Sequence, residues 1–160
     1  MRRSGPMLGL AAAGLTILVV QTLVLQKERV LATGNAVLLE LAPADPRSLM
    51  QGDYMVLDYR VARDHAQSPG AAGEGTLVVA VGADGVARFV REHRREPLGP
   101  GEQLLRYKTR RARTQLGAEA FFFEEGTADT YAQARFGELR VTPSGASVLV
   151  GLASRSAHTA

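Results

Sequence analysis

Hydrophobic and polar positions change their spacing sharply along this chain. Residues 7–25 are apolar on every side, broken only by Gly9, Gly14, Thr16, Gln21 and Thr22, and they carry no charge. A run without a polar face is not the stripe of a soluble amphipathic helix. About 18–20 such residues, coiled as a helix, reach across the hydrocarbon core of a bilayer, whereas a signal-peptide core is usually shorter. The helical pattern predicts a short stalk running on to residue 32, closed at Thr33-Gly34-Asn35 with Gly34 as the C-terminal cap.

Beyond Gly34 the spacing shifts to short apolar runs separated by turn formers. Residues 36–41 read as a strand with both faces partly covered, stopped by Pro43-Ala44-Asp45-Pro46. Residues 47–50 predict one tight helical turn before Gly52. Residues 54–61 alternate: Met55, Leu57, Tyr59 and Val61 share one face, and Tyr54, Val56, Asp58 and Arg60 the other. Residues 64–75 read as a loop. Two hairpins follow from local turn chemistry: residues 76–81 and 86–90 around Gly82-Ala83-Asp84-Gly85, and residues 139–142 and 146–152 around Pro143-Ser144-Gly145. Between them, 93–101 is a loop, 103–109 and the aromatic block 121–123 are strands, and 127–135 is a short helix with Thr127 as N-cap. The pattern predicts a mainly β fold: a small antiparallel β-sandwich or partly closed barrel with one short helix, preceded by a single N-terminal transmembrane helix. The expected organisation is an anchor and stalk over 1–34, a β-domain over 35–152 and a polar tail over 153–160.

Charge sets the expected orientation. Arg2 and Arg3 precede the apolar run and should stay in the cytoplasm, placing the β-domain outside, in the periplasm of a Gram-negative cell. Lys27 and Arg29 oppose this, with Glu28 between them. A cleaved signal peptide ending near Val30-Leu31-Ala32 is the alternative, but the charged spacer 26–29 is unusual for one. The chain has 160 residues, no visible internal repeat and a formal net charge of +3. Its cations concentrate between Arg88 and Arg113, where they fit anionic headgroups or an acidic partner. The simpler reading is a set of strand-edge arginines that discourage edge-to-edge pairing. No nucleic-acid recognition motif accompanies them. The absence of cysteine removes disulfides, thiolate metal sites and a cysteine nucleophile, and His65, His93 and His158 lack metal-ligand spacing. No cofactor is implied.

The most specific feature is the octapeptide Gly52-Asp53-Tyr54-Met55-Val56-Leu57-Asp58-Tyr59, preceded by Asp45-Pro46-Arg47-Ser48. It resembles the signature of the GDYXXLXY family, membrane-anchored bacterial proteins whose biochemical activity is not established. The segment around Glu119, Phe121, Phe122, Phe123, Glu124, Glu125 and Gly126 resembles the family's second, aromatic block, with Glu124 where the family commonly has proline. The closing hairpin, residues 137–152, also fits. The resemblance covers most of residues 35–152. It implies a domain held at the inner or cytoplasmic membrane through lipid contact at residues 7–25, with a multi-pass membrane protein as candidate partner.

The chemistry of the motif favours a structural clamp. Asp53 after Gly52 suits an Asx turn, and Arg47 is placed to pair with Asp53 or Asp58. Tyr54 and Tyr59 lie on opposite faces, so one packs inside with its hydroxyl satisfied and the other faces a partner or the loop. The motif or binding residues are thus Asp45, Arg47, Gly52, Asp53, Tyr54, Leu57, Asp58, Tyr59, Glu119, Phe122 and Glu125. The expected activity is that of a binding or accessory module. The alternative is a serine–lysine hydrolase, because a Gly-Asp turn entering a strand is similar to the substrate-binding strand of signal peptidases. Their serine falls eight residues before that glycine, which is Ala44 here. Ser48 and Lys108 are the remaining candidates for nucleophile and base, and are expected not to meet, with Lys108 facing solvent. A third reading gathers Asp45, Asp53, Asp58 and Glu124-Glu125 around a hard cation, although no calcium-loop pattern is present.

Overall fold

The computed structural model describes residues 4–42, 50–51, 54–68, 71, 73–110, 113–124, 128–131 and 133–154, with side chains undescribed at 4–11, 50–51 and 128–129. The chain opens with a 30-residue helix, α1 (Ser4–Thr33). Its described side chains are exposed through Arg29, including Leu15, Ile17, Leu18, Leu23 and Leu25. Only Val30 and Gly34, at its C-terminal end, are buried against the domain. Among the described residues no helix is long and apolar enough to cross a membrane.

Gly34 closes α1 by donating its N–H to the Val30 carbonyl at 2.9 Å. Its expected role needs correcting: it does not adopt the left-handed conformation of a C-cap glycine. Glycine is required for room, since a Cβ there would lie 2.5 Å from the Val30 oxygen and 2.9 Å from the Val141 nitrogen.

Seven strands form the main sheet: β1 (Asn35–Glu40), β4 (Glu74–Val81), β5 (Val86–Glu92), β6 (Glu102–Arg110), β7 (Arg113–Gln115), β9 (Phe136–Val141) and β10 (Ser147–Ala153). Their order across the sheet is β10-β9-β1-β5-β4-β6-β7. A three-stranded sheet joins β2 (Met50–Gln51), β3 (Tyr54–Val56) and β8 (Ala120–Phe122). Both expected hairpins form, with Gly85 and Gly145 at positive φ of 72° and 81°. The main sheet curls into a half-barrel. The β9–β10 turn comes round to β6, where the Arg106 N–H donates to the Gly145 carbonyl at 2.8 Å and the Gln103 amide to Val141 at 3.1 Å. Leu39, Leu77, Leu105 and Leu139, one from each of four strands, fill the inside of the curl with Leu116.

Two expectations fail. The sheet is not wholly antiparallel, because β1 and β5 pair in parallel through Leu38↔Val86 and Leu39↔Ala87. The β4–β5 hairpin docks onto β1 by its return strand, and nothing in the local pattern of a hairpin says which of its strands will dock. The strand read through residue 61 and the loop from 64 are also revised. The chain turns into α2 (Arg60–Ala66) as the Tyr59 carbonyl accepts the N–H groups of Ala62 and Arg63 at 3.0 and 3.2 Å. Alternation from Met55 to Val61 gives way to the helical spacing of Val61, Ala62 and His65, all buried. A second short helix, α3 (Ala128–Tyr131), stands where residues 127–135 predicted one.

Candidate functional site

The motif strand and the aromatic block, far apart in sequence, are neighbours. β3 pairs with β8 through Tyr54↔Phe122, Met55↔Phe121 and Val56↔Ala120, and the Leu57 N–H donates to the Glu119 carbonyl at 2.8 Å. On the other side, the Ala42 N–H donates to the Asp58 carbonyl at 2.7 Å, and Leu41 bridges Tyr59. The motif is thereby stitched between β1 and β8.

These connections open a cleft of about 530 Å³ between the motif, α2 and β7. Leu57, Asp58 and Tyr59 line it from the motif, with Glu119; Arg63 comes from α2, Arg110 from β6, and Arg113, Thr114 and Gln115 from β7. Asp58 is held by Arg63, which donates through Nε at 3.1 Å and Nη2 at 2.9 Å to one carboxylate oxygen. The Gln115 amide donates to Glu119 at 2.6 Å.

Tyr59 is 3 % exposed, and its hydroxyl has no hydrogen-bond partner among the described residues, contrary to the expected satisfied phenol. Burial foremost, then the Glu119 charge, raises its pKa well above the ordinary phenolic value, so it stays protonated. The ring lies close to β9: a Cβ at Gly137 would sit 3.0 Å from its Cε1. Tyr54 is half-buried and stacks on Phe122, centroids 5.7 Å apart, with Phe122 itself 75 % exposed. The opposite-face reading of the two tyrosines therefore holds.

Behind the cleft wall lies a buried polar chain that the sequence pattern does not announce. His65 on α2 is fully buried. Its Nε2 lies 2.8 Å from Glu92 Oε1 on β5 and its Nδ1 3.0 Å from Thr114 Oγ1 on β7. The Tyr107 hydroxyl donates to the same Glu92 oxygen at 3.1 Å, and its ring packs on His65 with centroids 4.2 Å apart. The His65 hydrogen bond first, and the Tyr107 bond with it, hold the Glu92 carboxyl below the usual range. Burial first, then Glu92, raises Tyr107. Both ring nitrogens of a histidine removed from water are thus satisfied, as burial demands. The signal that could have found His65 is its i, i+4 relation to Val61 on a helical face.

Several candidates separate from this picture. Asp45, Arg47, Ser48, Gly52, Asp53 and Glu125 lie outside the described residues, so the Arg47 clamp, the Asx turn and the cation reading fall there in whole or part. Asp58, within them, pairs with Arg63. Lys108 is partly exposed and ion-paired with Glu74, its register partner on the neighbouring strand β4. Within the basic block, Arg88 pairs with Asp84 at 2.7 Å, Arg91 with Glu102 and Glu96, and Arg106 donates to the Ser144 carbonyl at 3.1 Å. Much of that charge is therefore spent inside the domain.

The chain matches the GDYXXLXY protein family over residues 16–152, a stretch that runs from within α1 to the end of the closing hairpin. It belongs to that family. No curated protein and no solved structure matches it. Membership ties the family's name-giving residues Tyr54, Leu57 and Tyr59 to the β3 segment and the cleft wall. In this GDYXXLXY protein Leu57 and Tyr59 are 5 % and 3 % exposed, so the signature's last two positions serve the core as well as the cleft.

Proposed function

We propose that the chain is a membrane-anchored, extracytoplasmic binding module that acts with a membrane-protein partner. The observation that carries the reading is the cleft: the motif residues Leu57, Asp58 and Tyr59 meet Glu119 and three arginines around an open, mixed-charge recess of about 530 Å³. A recess lined by a few convergent polar groups on a rigid sheet is the usual form of a binding site. The hydrolase alternative draws no support from Lys108, whose ammonium is ion-paired with the exposed Glu74 on the adjacent strand.

Anchoring rests on α1. At about 1.5 Å per residue a 30-residue helix is roughly 45 Å long. Exposed leucine, isoleucine and valine surround it from Leu15 to Leu25, a surface that water disfavours and lipid accepts. Arg2 and Arg3 orient the N-terminus to the cytoplasm.

Copurification in mild detergent tests the partner. The intact chain should retain a multi-pass membrane protein, and Asp58→Ala with Glu119→Ala should release it while the variant keeps its melting temperature within a few degrees. Retention of the same partner by the variant, or no partner with the intact chain, would refute the reading.

A further inference from the structure

Arg110 and Arg113 are the register pair that closes the β6–β7 ladder. Residues directly opposite on antiparallel strands point to the same face, with Cβ atoms about 5 Å apart, and like charges placed so repel each other. Both side chains are exposed, and neither has an acidic partner within salt-bridge distance among the described residues. Their neighbours in the basic block, Arg88, Arg91 and Lys108, do have one. The uncompensated pair also lines the cleft, where Arg63 is matched by Asp58. Two exposed arginines on one face of the hairpin, both lining the recess, can offer two guanidinium groups as a fork to one planar anion.

The topology places this fork. β1 starts at Asn35, next to α1, and ends at Glu40, two residues before Ala42, which bonds to Asp58 at the cleft. β5 is parallel to β1, β4 antiparallel to β5 and β6 antiparallel to β4, so β6 also runs away from α1 and delivers Arg110 at its far end. The seven residue steps from Asn35 to Ala42, at up to about 3.3 Å each, set the cleft roughly 20 Å beyond the end of the helix. A lipid surface at the anchor does not reach it.

Charge then selects the ligand. Asp58 and Glu119 share the cleft, and their field opposes a phosphate of charge about −2 more than a single carboxylate. We infer that the cleft binds an acidic peptide segment of a partner protein, with Arg110 and Arg113 gripping a side-chain carboxylate. Glu119, which lines the same cleft, offers an acceptor for the peptide's own N–H groups. This inference rests on the binding-module reading.

The test uses the full chain in phosphatidylcholine nanodiscs and a fluorescein-labelled oligoglutamate peptide, followed by anisotropy. The oligoglutamate should bind, its oligoglutamine counterpart should not, and added salt should weaken binding. Arg110→Gln with Arg113→Gln should weaken it roughly tenfold or more. Arg110→Lys with Arg113→Lys, which keeps the charge but loses the fork, should fall between. Because the pair repels, the glutamine variant should melt no lower than the parent, which separates lost recognition from lost folding. Equal binding of both peptides, unchanged binding by the glutamine variant, or effective competition by inorganic phosphate or phosphatidylglycerol vesicles would overturn the inference. A membrane partner retained equally by parent and glutamine variant would overturn the fork yet leave the module standing. Loss of every partner from the parent, with peptide binding intact, would do the reverse.

Discussion

A single oxygen of Glu92 holds both His65 and Tyr107, and His65 reaches on to Thr114 in the cleft wall. The four residues come from α2, β5, β6 and β7, so the polar chain fastens the helix across the half-barrel. His65→Ala leaves a cavity and strips Glu92 of its principal donor. The expected cost is on the order of 2–4 kcal/mol, measured by thermal or denaturant unfolding of the full chain in detergent. His65→Gln, which can still donate, should cost less. The same bond sets a pH signature. The Glu92 carboxyl lies lower when folded than its ordinary value of 4.5. Its contribution is therefore complete above the unfolded value and is lost as the pH falls through the folded one. The groups facing it are His65, Tyr107 and Arg94. Asp84, lowered to about 2 chiefly by the Arg88 hydrogen bond, and Glu102, lowered chiefly by Arg91, act in the same sense. Melting temperature should hold steady from neutrality to about pH 5 and then decline. In His65→Ala the decline should be shallower. An equally steep decline in that variant would contradict the assignment to Glu92.

At the scale of elements, what local chemistry specifies is what the sequence predicts well. The Gly82-Ala83-Asp84-Gly85 turn forms because Gly85 takes a positive φ and Asp84 accepts the Val86 N–H at 3.1 Å, all within four residues. The buried face of Met55, Leu57, Tyr59 and Val61 was legible for the same reason. The parallel β1–β5 pairing and the His65 chain were not, because they join residues separated by 15 to 49 positions, where pattern carries no register. Candidate-site residues divide likewise. Leu57, Asp58, Tyr59 and Glu119, named from the two motif blocks, line one cleft, whereas Arg63, Arg110, Arg113 and Thr114 enter only through tertiary packing. Gly34 shows how a correct residue carries a different cause. Its tight neighbours are backbone atoms of α1 and β9, which cannot move aside as a flexible side chain can. Gly34→Ala should therefore cost about 1–3 kcal/mol through forced separation of the two elements. Hydrogen exchange should quicken at the Gly34 and Val141 amides and leave β4 and β6 unchanged. Uniform exchange across the sheet would show that the junction is not where the strain falls.

On the whole molecule, α1 and the cleft occupy opposite ends of the β1 direction. That polarity gives the fold a functional sense only if the helix is inserted and the domain faces away from the cytoplasm. Residues 7–25 are uncharged, and Arg2-Arg3 lie on their short N-terminal flank, where positive charge is most effective in holding a terminus inside. Lys27 and Arg29 pull the other way, but Glu28 stands between them and the long domain that follows weakens their weight, since large domains cross largely regardless of charge. A reporter that is active only in the cytoplasm, fused after Ala160, should be silent, and one active only outside should report. Replacing Arg2 and Arg3 with glutamine removes the inward bias and should shift a measurable share of molecules to the opposite orientation. A cytoplasmic reporter that is active in the unaltered chain would place the cleft on the wrong side of the membrane for an extracytoplasmic partner. It would remove the anchor-and-module reading while leaving the chemistry of the arginine fork to be tested by itself.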